Sequence, residues 1–474
     1  MNKTKVKFEK MKTYLLVVLF LMTILLLYFL WYGKPSSKFE FTKSTELLGA
    51  VDISSVIVPQ EVLISKGGND FVRSPQNRSI LWNDYILTEI KKACMAGSMV
   101  TEEITKEQYE KVTADNSVIA RFSYTMPFEG FCKMFEIEEF QGVDKIEPFS
   151  EIGFSMSSPE SLFVSDALKD KYYRLIGNFK TDVPQRLKNI ANEEEYPTYY
   201  KLSTLTGNES KYDVFVPIDA PKALPELSLS RGLSEITERE HDKIAERYFG
   251  NSFDFVRKVK ENDGTLVYMY GYGKITLTID PALDLLEYKS DSRQTVSQTE
   301  FQALSTALLF AGQKQCFQTA SGERIPTVLK SITPINETTP SENKKMGYHF
   351  EFAMLANGHE IFSYKQPEIV IEVTNGDVTY FSKSCSAKFI QTGSKFKETI
   401  QPIDIIVENH ELLALALSEK GKESKNSFDD VTHEIKSMQY GYLRHENMLL
   451  PVWEIGLSSN VVLYFDPFTG KEVE

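Results

Sequence analysis

The chain lacks any catalytic signature and holds little of what metal or redox chemistry requires. Its 474 residues include only four cysteines, Cys94, Cys132, Cys316 and Cys385, with no CxxC pair among them. That spacing excludes a zinc ribbon or a thioredoxin-type site. It leaves open whether the thiols are free or paired, since an even count outside the cytoplasm permits disulfides without requiring them. The six histidines, His241, His349, His359, His410, His433 and His445, are scattered, and no HExxH helix pair occurs. His359, His433 and His445 each precede a glutamate, but neighbours on a strand point to opposite faces and do not form a ligand pair by themselves. His410 falls on an apolar helix face, where a satisfied core histidine is the expected role. No GxSxG elbow is present. Gly271, Gly273 and Lys274 suggest a phosphate loop, but Tyr268 and Ile275 stand where that loop requires Gly and Ser/Thr, so a strand turn is expected. The run Glu193-Glu194-Glu195 reads as a solvated loop. Glycosidase carboxylates are neighbours in space, not in sequence, so a carboxylate enzyme is not excluded on sequence grounds. The expectation is a non-enzyme with no cofactor and no metal.

Positive charge is also short. Lysine and arginine number 53 against 66 acidic residues, for a net charge of −13. Lys3, Lys5, Lys7, Lys10 and Lys12 against Glu9 give the first twelve residues +4, which leaves −17 for the rest. Such a body is unsuited to general nucleic-acid binding, which neutralises phosphates with Lys and Arg. It is equally unsuited to lying flat on anionic lipid.

One long hydrophobic run is present, YLLVVLFLMTILLLYFLWY from Tyr14 to Tyr32. At about 1.5 Å per residue it reaches roughly the 30 Å of a bilayer core. Tyr14, Trp31 and Tyr32 suit the two aromatic belts, and the lysines before it place the N-terminus inside. A cleaved signal peptide would have a shorter apolar core and a small-x-small site, whereas FLWYGKPSS follows here. The run is expected to stay as a single-pass anchor in the cell membrane, with the N-terminus cytoplasmic and the bulk extracytoplasmic. It has no GxxxG motif, and Thr23 is its only interior polar group. The candidate partner-contacting residues on it are Leu16, Leu19, Thr23, Leu26, Leu27 and Leu30.

The expected segments are a cytoplasmic stub at 1–13, the transmembrane helix at 14–32 and a polar stalk at 33–44. A mixed α/β first ectodomain region follows at 45–200, a second domain of one helix and an antiparallel sheet at 205–295, and a C-terminal domain of two such units at 296–474. In the first region, Val51 to Ser65 and Ser117 to Phe128 alternate as strands do. Ile80 to Gly97 has helical spacing, and Asn192 to Ser210 reads as a turn-rich hinge. Beyond it comes a weak internal repeat of a helix followed by strands. Unit one opens on a capping box of Thr237 and Glu240, buries His241, Ile244, Ala245 and Tyr248, and continues in the strand runs FDFVRKV, TLVYMYGYG, KITLTID and LLEY. Unit two opens on Ser297 and Glu300, buries Phe301, Leu304, Leu308 and Ala311, and carries hairpin turns at Asn357-Gly358 and Asn375-Gly376. Unit three follows Pro402, with Ile403, Ile406, Val407, His410, Leu413, Ala414 and Leu417 on one face. Its strands end at the turn Asp466 to Gly470. Each helix needs a sheet to cover, so the fold class is α+β.

The order of these parts carries a resemblance. A basic start and one anchor precede DKIEPFSEIGFSMSSPESLFVSDALKDKYYRL (Asp144 to Leu175). Then come DGTLVYMYGYGKITLTIDPALDLLEYKSDSR (Asp263 to Arg293), GYHFEFAMLANGHEIF (Gly347 to Phe362) and LLPVWEIGLSSNVVLYFDPFTG (Leu449 to Gly470). This resembles the YycH family of Gram-positive bacteria. The last portion is similar to the sister YycI family, whose chains end with a comparable PVW…FTG run. The repeat unit resembles the PepSY module. The resemblance implies a regulator that associates with a YycI-like sister protein and with the WalK (YycG) sensor histidine kinase of cell-wall metabolism, through transmembrane helices and extracytoplasmic domains. It carries over no catalytic residue. The other reading weighed is a PepSY-like inhibitor or chaperone of a secreted peptidase or cell-wall hydrolase.

Overall fold

The computed structural model describes Phe20, Met22 and residues 51–473, apart from 69, 98, 139, 141–142, 209, 231, 292–297, 320–321, 340–341, 365–366, 386–387, 392–397 and 419–426. The stub at 1–13, the stalk at 33–44 and all of the run at 14–32 except Phe20 and Met22 therefore lie outside the described residues. Phe20 and Met22 are helical and exposed. Among the described residues no helix is long and apolar enough to cross a membrane.

Nine strands form the first sheet: β1 (Glu61–Gly67), β2 (Asp70–Val72), β3 (Val100–Glu103), β4 (Ser117–Met126), β5 (Phe149–Ser155), β6 (Ser161–Asp166), β7 (Lys171–Ile176), β8 (Thr198–Lys201) and β9 (Phe215–Pro217). Their order is β3-β7-β6-β5-β4-β1-β2-β8-β9, antiparallel throughout. The period of two along β4 buries Val118, Ala120, Phe122, Tyr124 and Met126 on one face. The helix Val183–Glu193 packs there with Val183, Leu187 and Ala191. Next to it runs the helix at 78–95, whose stretch Leu81–Leu87 is π-helical. The opposite face carries the helix Lys106–Thr113 and smaller apolar clusters.

One backbone approach in this sheet is tight. A Cβ on Gly153 would sit 2.1 Å from the Val118 carbonyl oxygen, inside the β4–β5 ladder. Gly153→Ala should therefore lower stability by at least about 1–3 kcal/mol through overpacking. The midpoint of urea unfolding checks this, and an unchanged midpoint would contradict the contact.

The second sheet has fourteen strands: β10 (Leu227–Ser230), β11 (Arg257–Lys260), β12 (Leu266–Tyr270), β13 (Ile275–Asp280), β14 (Leu285–Ser290), β15 (Thr327–Thr339), β16 (Glu342–Ala356), β17 (His359–Phe362), β18 (Ile369–Thr374), β19 (Asp377–Ser384), β20 (Lys388–Gln391), β21 (Ile435–His445), β22 (Met448–Leu457) and β23 (Val462–Phe465). Along its length the order is β11-β12-β13-β14-β19-β18-β16-β17-β21-β22-β10-β20, with β15 on β16 and β23 on β22. The three helix-plus-strand groups thus share one sheet. β14 joins the first group to the second by pairing with β19, and β17 joins the third through a parallel pairing with β21.

The helices follow their sequence signals with several differences. Glu238–Phe249 has the Thr237–Glu240 capping box. The second helix, Glu300–Gln313, is capped by Thr299 and Gln302 rather than by Ser297 and Glu300, and Ser297 lies outside the described residues. Unit three's helix is broken into Pro402–Glu408 and His410–Ser418. The break is at Asn409, whose Nδ2 donates to the Ile405 and Gly470 carbonyls, both at 2.8 Å. That clamp ties the helix to the C-terminal turn and rotates its first half, so Ile405 is buried and Val407 exposed. His410 is only half-buried. A further short helix, Phe428–Glu434, precedes β21.

Three loops and strands also differ. Val51 to Ser65 opens as a helical turn, Ile53–Val56, capped by Asp52, before β1 begins. The segment read as a hinge holds β8 and the short helix Leu202–Thr206, because Tyr199 and Leu202 have apolar surface to bury. FDFVRKV starts as a 3-10 turn, Gly250–Phe255, and only Arg257–Lys260 is strand. Gly271, Gly273 and Lys274 form the turn between β12 and β13, as expected. All four cysteines are buried.

One continuous core runs under both sheets, from Val51 to Leu449. The helix Phe128–Met134 on the first sheet meets Glu300–Gln313 on the second, where a Cβ on Gly130 would lie 3.4 Å from Phe301 Cβ.

Candidate functional site

Three apolar strands each carry a charged residue, Arg121 and Glu151 within β4 and β5 and Glu61 at the start of β1, and antiparallel pairing aligns them. Arg121 on β4 stands opposite Glu61 on β1 and Glu151 on β5, and Glu151 stands opposite Ser165 on β6. Arg121 Nη1 donates to Glu61 Oε1 at 2.9 Å, and its Nε donates to Glu151 Oε1 at 2.6 Å. Glu151 Oε2 also accepts from the Tyr109 hydroxyl at 2.9 Å and from Ser165 Oγ at 2.8 Å. Arg73 pairs with the other oxygen of Glu61 and lies 4.3 Å over the Tyr199 ring. Burial works against the Arg121 charge, but Glu151 and Glu61 outweigh it and hold the guanidinium pKa above its ordinary value.

This charged row forms one wall of a cleft of about 450 Å³. The other wall is the β16–β17 turn with His359 and Glu360, and the β21 residues Met438 and Tyr440. The tip is seated closely, since a Cβ on Gly358 would meet Gln76 Cα at 2.8 Å and its φ is +78°. His359 Nδ1 lies 3.1 Å from the Tyr440 carbonyl oxygen. Burial lowers the His359 pKa, with the Tyr440 hydrogen bond opposing and the nearby Arg78 and Arg73 adding to the shift. Glu360 pairs with Lys330 on β15. Behind it the buried Glu454 carboxyl is pushed above the usual carboxylate range, first by burial and also by Glu360, with Lys330 opposing.

The cleft's carboxylates are committed to cations. Glu61 is held by Arg73 and Arg121, Glu151 by Arg121, Asp213 by Lys201 and Glu360 by Lys330. The geometry offers no unpaired acid–base couple there. It presents paired charge on a rigid floor, suited to recognition. Among the described residues, no group of three His, Cys, Asp or Glu is placed to hold a metal ion.

Of the residues singled out on the anchor, Leu16, Leu19, Thr23, Leu26, Leu27 and Leu30 all lie outside the described residues. Sequence reasoning missed Glu61, Arg73, Arg78, Arg121, Glu151 and Glu360. The available signal was an ionisable residue inside an apolar strand run, as in SVIARFSYTM and FSEIGFS.

His349 marks a second, smaller cluster. It stands opposite Glu372 across β16–β18, with Nδ1 at 2.9 Å from Glu372 Oε1 and Nε2 at 3.4 Å from Glu351 Oε1. Hydrogen bonds to Glu351 and Glu372 raise its pKa from 6.5 to about 9. A raised pKa stabilises the fold fully below the unfolded value, and that contribution is lost as pH rises through the folded value. With partial exposure, His349→Gln should cost on the order of 1 kcal/mol near pH 6, and nothing near pH 10. Urea unfolding of both proteins at the two pH values checks this. A pH-independent difference would contradict the ion-pair assignment.

The fold and the cleft define an α+β protein of two joined sheets, the first antiparallel and the second antiparallel except at β17–β21, with an ion-paired cleft between them. Residues 9–175 match the family model described as the YycH protein, N-terminal domain. The crystal structure of YycH from Bacillus subtilis shares the fold, with a TM-score of 0.55 at 12% identity, covering 88% of this chain and 97% of that one. An uncharacterized protein from Eubacterium rectale ATCC 33656 gives a fainter likeness, TM-score 0.33 at 13% identity over 56% of this chain and 91% of that one. No curated protein matches by sequence. The chain therefore carries a YycH N-terminal domain, and its resemblance to the YycH family holds. The YycI-like and PepSY-like character expected further on has no match among these.

Proposed function

We propose that this chain is a membrane-anchored regulator of a WalK (YycG)-type sensor histidine kinase, working beside a YycI-like sister protein. In this reading residues 1–13 are cytoplasmic, 14–32 cross the cell membrane, 33–44 are a stalk and the rest is extracytoplasmic. The observation that carries it is the YycH family match, which begins at residue 9 and so takes in the apolar run as well as β1 to β6 and nearly all of β7. In this reading the protein acts by biasing a partner that spans the membrane. That bias equals the difference between its affinities for the partner's two states. Leu16, Leu19, Thr23, Leu26, Leu27 and Leu30 are the proposed helix contacts, and the ectodomain supplies the rest.

The test is co-purification with the kinase from detergent-solubilised membranes, followed by replacement of 14–32 with an unrelated apolar helix. The kinase should co-purify with the native chain, and its output should change on replacement. Unchanged output would remove the helix from the mechanism. Failure to co-purify, with an anchor-free chain inhibiting a secreted hydrolase instead, would favour the PepSY-like inhibitor.

A further inference from the structure

Among the described residues of the cleft, Arg78 is a buried cation whose guanidinium is largely unpartnered. Arg78 opens the helix at 78–95 and is only 6% exposed. Its Nη1 donates to the Gln60 carbonyl at 2.9 Å. Its Nε and Nη2 are out of contact with bulk water and have no hydrogen-bond partner. The neighbouring arginines differ from it, because Arg73 and Arg121 have Glu61 and Glu151. Glu360 is near enough to Arg78 to favour its charge but is bonded to Lys330. A guanidinium does not deprotonate in a protein, so this is a buried charge without a counter-ion, a situation proteins seldom tolerate without a reason.

We propose that Arg78 is the anchor of a ligand site in this cleft, and that the ligand presents a carboxylate. Nε and Nη2 form the side edge of the guanidinium, which takes the two oxygens of a carboxylate in parallel hydrogen bonds. The charge balance agrees. Arg73, Arg78, Lys106, Arg121, Lys211 and Lys436 line the cleft against Glu61, Glu151, Asp213 and Glu360. The cleft is therefore net positive on a chain whose net charge is −13, and it concentrates anions where the molecule as a whole repels them. One free edge among four carboxylates suits a singly charged planar group better than a doubly charged phosphate. The volume, about 450 Å³, is in the range of small-ligand pockets, and it suits a short peptide. The edge is walled from water, and His359 and Glu360 of the β16–β17 tip are near enough to Arg78 to interact with its charge, so an arriving carboxylate is expected to displace that tip. Occupancy of the site thus couples to the junction of the two sheets. This inference does not depend on the kinase reading.

The test uses the full-length chain in detergent, with N-acetyl-trialanine as free acid, the same peptide as its C-terminal amide, and inorganic phosphate. Titration calorimetry measures affinity, and amide hydrogen exchange reads the tip at 356–360. The free acid should bind, slow exchange at the tip and outcompete phosphate, while the amide should not bind. Arg78→Met should weaken the free acid by at least about tenfold. It should leave the unfolding midpoint equal or higher, since it removes an unmatched buried charge. Arg78→Lys keeps the charge, loses the paired geometry, and should give intermediate affinity. The proposal is overturned if the free acid and the amide behave alike, if phosphate binds more tightly, or if a folded Arg78→Met chain binds the free acid as well as the native one.

Discussion

Arg121→Ala should lower the stability of the fold by about 3–5 kcal/mol, the usual cost of stripping one partner from a buried ion pair. Two carboxylates, Glu61 and Glu151, would lose the guanidinium between them, at 2.9 and 2.6 Å. Glu61 would keep Arg73, but Glu151 would keep only the hydroxyls of Tyr109 and Ser165. The cost lies in the abandoned charges rather than in lost packing. The double replacement Arg121→Met, Glu151→Gln, which leaves Glu61 paired with Arg73, should therefore recover much of the loss. Chemical unfolding of the native chain and the two variants distinguishes the two accounts. If the double variant is as unstable as Arg121→Ala or worse, the charges are not the source of the cost.

Trp82→Ala should cost a similar amount, about 3–5 kcal/mol, for a different reason. Trp82 is fully buried on the π-helical stretch of the helix at 78–95. Its ring meets Phe122 edge-on at 5.4 Å and Phe135 at 6.1 Å. Removing it opens a cavity beneath the helix that also carries Arg78. The variant should lose stability and, through the helix, any binding in the cleft. Trp82→Phe fills most of the space and leaves no indole N–H without a partner, so it should recover at least half of the loss. Thermal unfolding of the two variants checks this, and a loss of under about 1 kcal/mol for Trp82→Ala would contradict the packing.

Much of the architecture was legible because local chemistry and tertiary structure agree. The capping box at Thr237, the Asn375-Gly376 turn and the alternation along β4 each depend on near neighbours in sequence. Signals failed where a distant residue decided the outcome. Asn409 reads as an ordinary helix position until its amide is seen holding the Gly470 carbonyl. Tyr199 reads as part of a loop until Phe71 of β2 lies beside it in the sheet. The sharing of one sheet by three helix-plus-strand groups depends on β14 finding β19, a pairing across almost a hundred residues that no local pattern announces.

The cleft was illegible for the same reason. Arg121 and Glu151 are single charges in apolar runs thirty residues apart, and only strand register makes them partners. Arg78 carries no sequence signal at all. Its meaning lies in what does not reach it, which is a property of the folded surroundings. The regulatory reading came instead from the order of parts along the chain, of which the family match at 9–175 covers the N-terminal ones.

The proposed role is to bias a sensor kinase from within the membrane. The most direct measurement is kinase autophosphorylation in proteoliposomes, with and without the full-length chain at equal density. The rate should shift when the chain is added. It should return toward the kinase-alone value when Leu19, Thr23 and Leu26 are changed together to larger or reshaped apolar residues. An identical rate with and without the chain, in vesicles where both proteins are shown to be inserted, would contradict the claim.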